Sequence, residues 1–296
     1  MAKLKTDKIL AKDLSEYLNS YSDFSFELAV LKMLRVSDIN CEHGGHYEDP
    51  VTNKSREFDI RAIKTIQQYR VRMAIECKNI RENFPILISC IPRHEHESYH
   101  QIALVNKPKA DSYQIAGSLH QSRATTLRIR QQHSLYKPGE PVGKSTAQVG
   151  RAMDGTISTN DAELYEKWGQ CLSSTNDLVS RMYWDGDDDK ETYFSAIFPF
   201  VVVPNGRLWM VSYDNDGNRT SDPAQTNRCS CYINKDYEMG TTPIGVRTWL
   251  WLSHIEIVTF EGMKAFVEKY LKTKEGVEEI FPREGIFEAH QSRMKK

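Results

Sequence analysis

Arg56 Glu57 Phe58 Asp59 Ile60 and, after a short gap, Arg72 Met73 Ala74 Ile75 Glu76 Cys77 Lys78 Asn79 hold two carboxylates and a lysine that a pair of strands can bring to one divalent metal ion. Successive side chains of a strand point to opposite faces, so Glu76 and Lys78 share one face and Cys77 turns to the other. Ile75 and Cys77 alternate with the charged pair, the pattern of a charged site cut into an otherwise buried sheet. Charge in such a place is costly unless it is paired or bound to a metal. Asp59, at the end of the preceding strand, reaches the same point. Its oxygens and those of Glu76 suit magnesium or manganese, and the lysine is left to hold an attacking water or a scissile phosphate, the chemistry of phosphodiester hydrolysis. The bland alternative is a set of surface ion pairs on a solvated hairpin.

The elements that must position these residues are legible as periodicities. Ile9, Leu10, Leu14 and Leu18 give a helix over residues 8–21. A second helix carries Glu27 within Phe24 Ser25 Phe26 Glu27 Leu28 Ala29 Val30 Leu31, and the two helices are expected to cover one side of a sheet. Strands are expected near residues 38–43, 57–64, 69–77 and 86–91, with His43 and His46 flanking a Gly44 Gly45 turn. Residues 115–131 can be helical, and residues 136–143 form a loop by their prolines and glycines. An amphipathic helix spans 160–183, with Asn160 or Asp161 as its cap. Residues 194–203 are apolar enough for a central strand, with 207–213 pairing onto it through the Pro204 Asn205 Gly206 turn. A strand over 249–258 and a helix over 261–271 follow.

Glu27 in a helix, Asp59 at a strand end, then Glu76, one apolar residue and Lys78 resemble the PD-(D/E)xK nuclease superfamily, the restriction-endonuclease-like fold. The resemblance covers residues 24–91, and Phe58 stands where the nominal motif has proline. It implies an α/β core, a central mixed β-sheet flanked by helices in the order helix, three strands, helix, strand. Residues 1–215 would be the nuclease core with a basic insertion at about 93–150, and residues 216–296 a C-terminal extension packed on it. It also implies that Asp59, Glu76, the main-chain carbonyl of Cys77 and Glu27 hold Mg2+ or Mn2+, and that Lys78 orients the water. DNA is the substrate that the superfamily implies, although the residues alone would accept RNA. A homodimer and a partner protein of a restriction, phage-defence or repair system are compatible with it. The alternatives are a catalytically silent nucleic-acid-binding module of the same fold and a zinc metallopeptidase.

The peptidase alternative rests on His96 Glu97 Ser98 Tyr99 His100, which fits H-E-x-x-H, the helical spacing that presents two imidazoles to zinc. The surrounding run is charged nearly throughout and a third ligand is not evident. Gly143 Lys144 Ser145 Thr146 resembles the end of a P-loop but lacks the upstream glycine and the leading apolar strand. The chain has 296 residues, is 40% hydrophobic and carries a net charge of −1. That near-neutral total conceals a basic run over residues 107–151, where eight basic residues face two acidic ones for a net charge of plus six. Within it Lys107, Lys109, Arg123, Arg128, Arg130 and Lys144 are candidates for phosphate contacts. Asp185, Asp187, Asp188 and Asp189 read as a solvated turn. Cys41, Cys77, Cys90, Cys171, Cys229 and Cys231 form no disulfide framework and are expected to be thiols. The opening residues lack the apolar run of a secretory signal and no stretch approaches a membrane span, so a cytoplasmic location is expected.

Overall fold

A computed structural model describes residues 6–49, 52–106, 124–185, 192–241 and 247–294. Helices α1 (Ala11–Ser20) and α2 (Phe24–Val36) lead into an antiparallel meander, β1 (Asn40–Glu48), β2 (Ser55–Ile66) and β3 (Tyr69–Cys77). The chain continues through β4 (Ile86–Pro92), β5 (Tyr99–Asn106), β6 (Ala124–Arg130), β7 (Pro141–Arg151) and β8 (Ile157–Thr159) to the long helix α3 (Ala162–Met182). Then come β9 (Thr192–Val203), β10 (Leu208–Ser212), β11 (Ala224–Gln225), β12 (Arg228–Thr241) and β13 (Arg247–Thr259), and last α4 (Phe260–Tyr270), α5 (Lys274–Ile280) and α6 (Arg283–Met294).

All of these strands join one large mixed sheet flanked by helices, in the order β1-β2-β3-β9-β13-β12-β7-β4-β10-β11, with β5 and β6 joined at β9 and β8 at β7. The Thr-Tyr-Phe-Ser-Ala-Ile-Phe-Pro-Phe-Val-Val-Val run of β9 is buried almost throughout, as a strand covered on both faces must be. Along one edge it pairs parallel with β3, from Tyr69↔Phe194 to Cys77↔Val202. Along the other, its first four residues pair with β5 and its last four run parallel to β13. Alternation along the strands feeds two cores. Met73, Ile75, Phe198 and Phe200 pack with Val30 and Leu34 of α2 and Phe266 of α4, whereas Ala74, Ile197, Val201 and Ile255 pack with Leu164, Leu172 and Val179 of α3.

Several expectations from the sequence change here. With both edges of β9 taken, residues 207–213 do not form a hairpin with it; β10 instead pairs parallel with β4 and antiparallel with β11. The segment expected as an insertion at 93–150 supplies β5, β6 and β7, and the segment from 216 supplies β12 and β13, so neither stands apart from the sheet. Within the expected helix at 115–131, residues 124–130 are strand β6, whose β-branched Thr125 and Thr126 pair with β5; the rest of its start lies outside the described residues. His43 and His46 lie on β1 itself, with Gly44 at φ +66° inside the strand in place of a turn between strands. A Cβ on Gly45 would meet the Phe58 ring at 2.5 Å, which explains the small residue there. Helix α2 covers the sheet as expected, but α1 does not: Ile9, Leu10, Leu14 and Leu18 are exposed.

Asp185 is not part of a solvated turn. It is 3% exposed, accepts from Arg70 Nη1 and Arg72 Nη1 at 2.7 Å each and from Ser195 Oγ at 2.6 Å, and ties the end of α3 to β3 and β9. Asp187, Asp188 and Asp189 lie outside the described residues. All six cysteines are free thiols, with Cys90 Sγ and Cys229 Sγ 3.5 Å apart. Among the described residues no helix is long and apolar enough to cross a membrane.

Candidate functional site

The register of β2 on β3 runs to Ile60↔Ile75, so Asp59 and Glu76 are the next opposed pair, and residues directly opposite on antiparallel strands present their side chains to one face. That face is covered by α3. The helix lays Lys167, Cys171, Ser174 and Leu178 along it at the spacing of one helical stripe. Cys171 Sγ reaches Ala74 O and Phe200 O at 3.5 and 3.4 Å, and Ser174 Oγ accepts from Arg61 Nε at 3.1 Å. Arg61 is itself paired with Asp177 at 2.6 Å, which clamps α3 to β2 two residues beyond Asp59.

At the open end of this clamp Lys167 Nζ stands 2.8 Å from Asp59 Oδ2 and 3.4 Å from Glu76 Oε2. The backbone N–H of Cys77 also donates to Asp59 Oδ2, at 2.7 Å. Glu76 is 1% exposed, and its buried Oε1 has no hydrogen-bond partner among the described residues. Burial, and then the charge of Asp59, push the Glu76 carboxyl well above the ordinary carboxylate range, with Lys167 opposing the rise. Burial acts against the Lys167 ammonium, but Asp59 and Glu76 outweigh it and hold it protonated above its ordinary range. Burial pushes up the thiol of Cys77 as its side chain enters the core on the opposite face.

Glu27 sits in the first turn of α2, with Oε2 3.5 Å from His43 Nε2 of β1. Burial and then the charge of Asp59 raise its carboxyl. Lys78 follows β3, with its backbone N–H on Val202 O. Its ammonium does not pair with Asp59 or Glu76. It reaches Asp23 Oδ2 at 3.3 Å and Glu163 Oε2 at 3.4 Å, which joins the start of α2 to the start of α3. Asp23 Oδ1 accepts from Asn79 N–H at 2.7 Å and so secures the same corner.

Asp59 and Glu76 are therefore brought together on Lys167, Glu27 stands against His43, and Lys78 pairs with Asp23 and Glu163. Lys167 was not singled out from the sequence. On α3 it reads as one more charged residue of an amphipathic helix, and only the packing angle of that helix turns it inward. The donor set is oxygen-rich and Glu76 Oε1 is an orphan, the chemistry that fits magnesium or manganese. Among the described residues, no three His, Cys, Asp or Glu side chains are gathered as a ready-made cage.

The other candidates are dispersed. Arg128 and Arg130 lie on β6 beside a cleft lined also by Arg293 and Glu288 of α6, and Arg128 stacks over Tyr99 at 4.3 Å. Lys144 is on β7, paired with Glu97, while Lys107, Lys109 and Arg123 lie outside the described residues. Gly143 Lys144 Ser145 Thr146 is strand, and a Cβ on Gly143 would meet Cys231 Sγ at 2.5 Å, so this glycine serves close strand packing. The H-E-x-x-H spacing does not form a zinc site. Residues 95–97 are a 3-10 turn and His100 is on β5, so the two imidazoles do not share a helix face. His96 is exposed, whereas His100 is buried, with Nε2 2.8 Å from Ile280 O and Nδ1 3.1 Å from Ser134 Oγ.

Compared with protein-family models, curated proteins and solved structures, the chain matches none of them.

Proposed function

We propose that this chain is a metal-dependent nuclease with a restriction-endonuclease-like core, hydrolysing phosphodiester bonds in DNA. The observation that carries this reading is the opposed carboxylate pair of half-buried Asp59, inside β2, and buried Glu76, near the end of β3, with an ammonium 2.8 Å from Asp59. A fold rarely keeps a carboxylate as deeply buried as Glu76, one oxygen unpartnered, for stability alone. The order α2, β1, β2, β3 and then, after β4 to β8, α3 and β9, with β9 parallel to β3, supports the same core.

Asp59 and Glu76, with the Cys77 carbonyl and Glu27 beside them, would hold Mg2+ or Mn2+. Bound there, the ion supplies Lewis-acid polarisation of a phosphoryl oxygen and lowers the pKa of a coordinated water. The chain's own part is positional. The Cys77 N–H fixes the Asp59 carboxylate, α3 closes the buried side of the site, and the Lys78 ammonium at its rim offsets charge that develops on the phosphate. Arg128, Arg130 and Lys144 supply cationic surface for the nucleic-acid backbone.

The test is cleavage of supercoiled plasmid, linear duplex and single-stranded DNA with Mg2+ or Mn2+, comparing the wild type with Asp59→Asn, Glu76→Gln and Lys78→Ala. Cutting that the carboxylate variants abolish is the expected result. Cutting that survives them removes this site from the proposal, and salt-sensitive binding without cutting would favour a silent binding module.

A further inference from the structure

We infer that the Lys167 ammonium is the resident cation of the carboxylate pair, so that a divalent metal ion binds only by displacing it. This rests on the metal-site proposal and deepens it by naming what regulates entry to the site.

Three observations converge on Lys167. The ammonium stands between carboxylates from two strands, 2.8 Å from Asp59 Oδ2 and 3.4 Å from Glu76 Oε2, the two side chains that would hold the ion. Those distances suit a hydrogen-bonded ammonium, whereas magnesium needs oxygens at about 2.0–2.1 Å, so the carboxylates must close in when the ion replaces the lysine. Second, one ammonium leaves the site incompletely served. Among the described residues Glu76 Oε1 has no hydrogen-bond partner, and Glu27 adds a third carboxylate, 3.5 Å from His43. A carboxylate oxygen is thus left for a ligand with Lys167 in place. Third, the displaced ammonium has somewhere to go. Glu163, which already pairs with Lys78 at 3.4 Å, lies four residues before Lys167 on α3, a favourable order for a helical ion pair, and its side chain is 60% exposed, open to a second cation. The four-carbon stem of lysine is flexible enough to make that change without moving the helix.

Lys78 cannot fill this role from where it stands, because Asp23 and Glu163 hold it at the rim. Lys78 and Lys167 are therefore unequal. Lys167 competes with the metal for the same oxygens, and Lys78 does not.

The experiment is Mn2+ titration of the full chain, followed by the loss of the free Mn2+ electron-spin resonance signal, for the wild type, Lys167→Met, Lys167→Gln, Lys167→Arg and Asp59→Asn. Circular dichroism melts establish that each variant is folded, and the two neutral substitutions stand in for one another. The expected result is at least a tenfold tighter Mn2+ affinity in Lys167→Met or Lys167→Gln, wild-type affinity in Lys167→Arg, and loss of binding in Asp59→Asn. Equal or weaker binding in the neutral variants, with Asp59→Asn still abolishing it, would overturn the competition and leave the metal site standing. No Mn2+ binding at millimolar concentration by the wild type or the neutral variants would overturn both.

Discussion

The backbone N–H of Cys77 donates to Asp59 Oδ2 at 2.7 Å, so one carboxylate oxygen both ties β2 to the end of β3 and receives the Lys167 ammonium. Charge and strand tie separate by substitution. Asp59→Asn keeps an oxygen acceptor for the Cys77 N–H but loses the charge, whereas Asp59→Ala loses both. Cleavage should fall more than about 100-fold in each, the scale of losing a transition-state contact. Only Asp59→Ala should also lose about 1–3 kcal/mol of stability through the orphaned N–H. Denaturant melts that place the two variants together would refute the division.

Glu76 makes the fold less stable at neutral pH. Its ordinary value is 4.5, and burial, then Asp59, raise it in the folded chain. The folded state therefore keeps a proton that the unfolded chain has released, and stability falls as pH rises from about 4.5 through the folded value. Glu76→Gln removes that loss. It should melt about 2–4 °C above the wild type at pH 8, with the gap closing towards pH 4.5. A variant less stable than the wild type at pH 8 would mean that the Lys167 contact outweighs the burial.

His100 acts in the opposite direction. Its imidazole, enclosed by Ser134 and Ile280, is lowered by burial from 6.5 to about 4. The unfolded chain takes up a proton below pH 6.5 that the folded one refuses, so stability is lost as pH falls from about 6.5 to about 4. Burial likewise lowers His254 well below its ordinary value, and it adds to the same slope. His100→Gln should reduce the protons taken up on unfolding at pH 5 by about one. Urea melts across pH 4–7 measure it, and an unchanged slope would exclude His100 as a source.

Asp185→Ala strips the carboxylate from Arg72, which is 4% exposed, and from Ser195. Breaking a buried pair in this way costs about 3–5 kcal/mol. A change below 1 kcal/mol by chemical denaturation would show the network to be solvated.

The strands that place the site were legible because their alternation is local: Tyr69–Cys77 was expected over the same residues that β3 occupies, and the apolar run of β9 announced itself. Asp59 and Glu76 were legible for the same reason, since strand parity and an antiparallel register put them on one face. Pairings made at long range were not legible. Nothing local to Leu208–Ser212 says that it will join β4 and pass over β9, and nothing local to Asp185 announces two arginines from a strand more than a hundred residues earlier. Lys167 escaped notice because its role depends on how α3 crosses the sheet. The apolar stripe of α1 was legible as a helix, but amphipathicity names a face without naming what covers it.

The position of β13 between β9 and β12 bears on how the chain comes off the ribosome. Synthesis runs from the N-terminus, so β1, β2, β3 and β9 all emerge before β13 and can pair, as can β4 and β7. The strand that welds these two wings into one sheet is made among the last. Until residues 247–259 clear the exit tunnel, β9 has an open edge over Phe200–Val203, apolar and waiting. Nascent chains stalled before that point should engage chaperones, and a messenger truncated there yields two half-sheets in search of a centre.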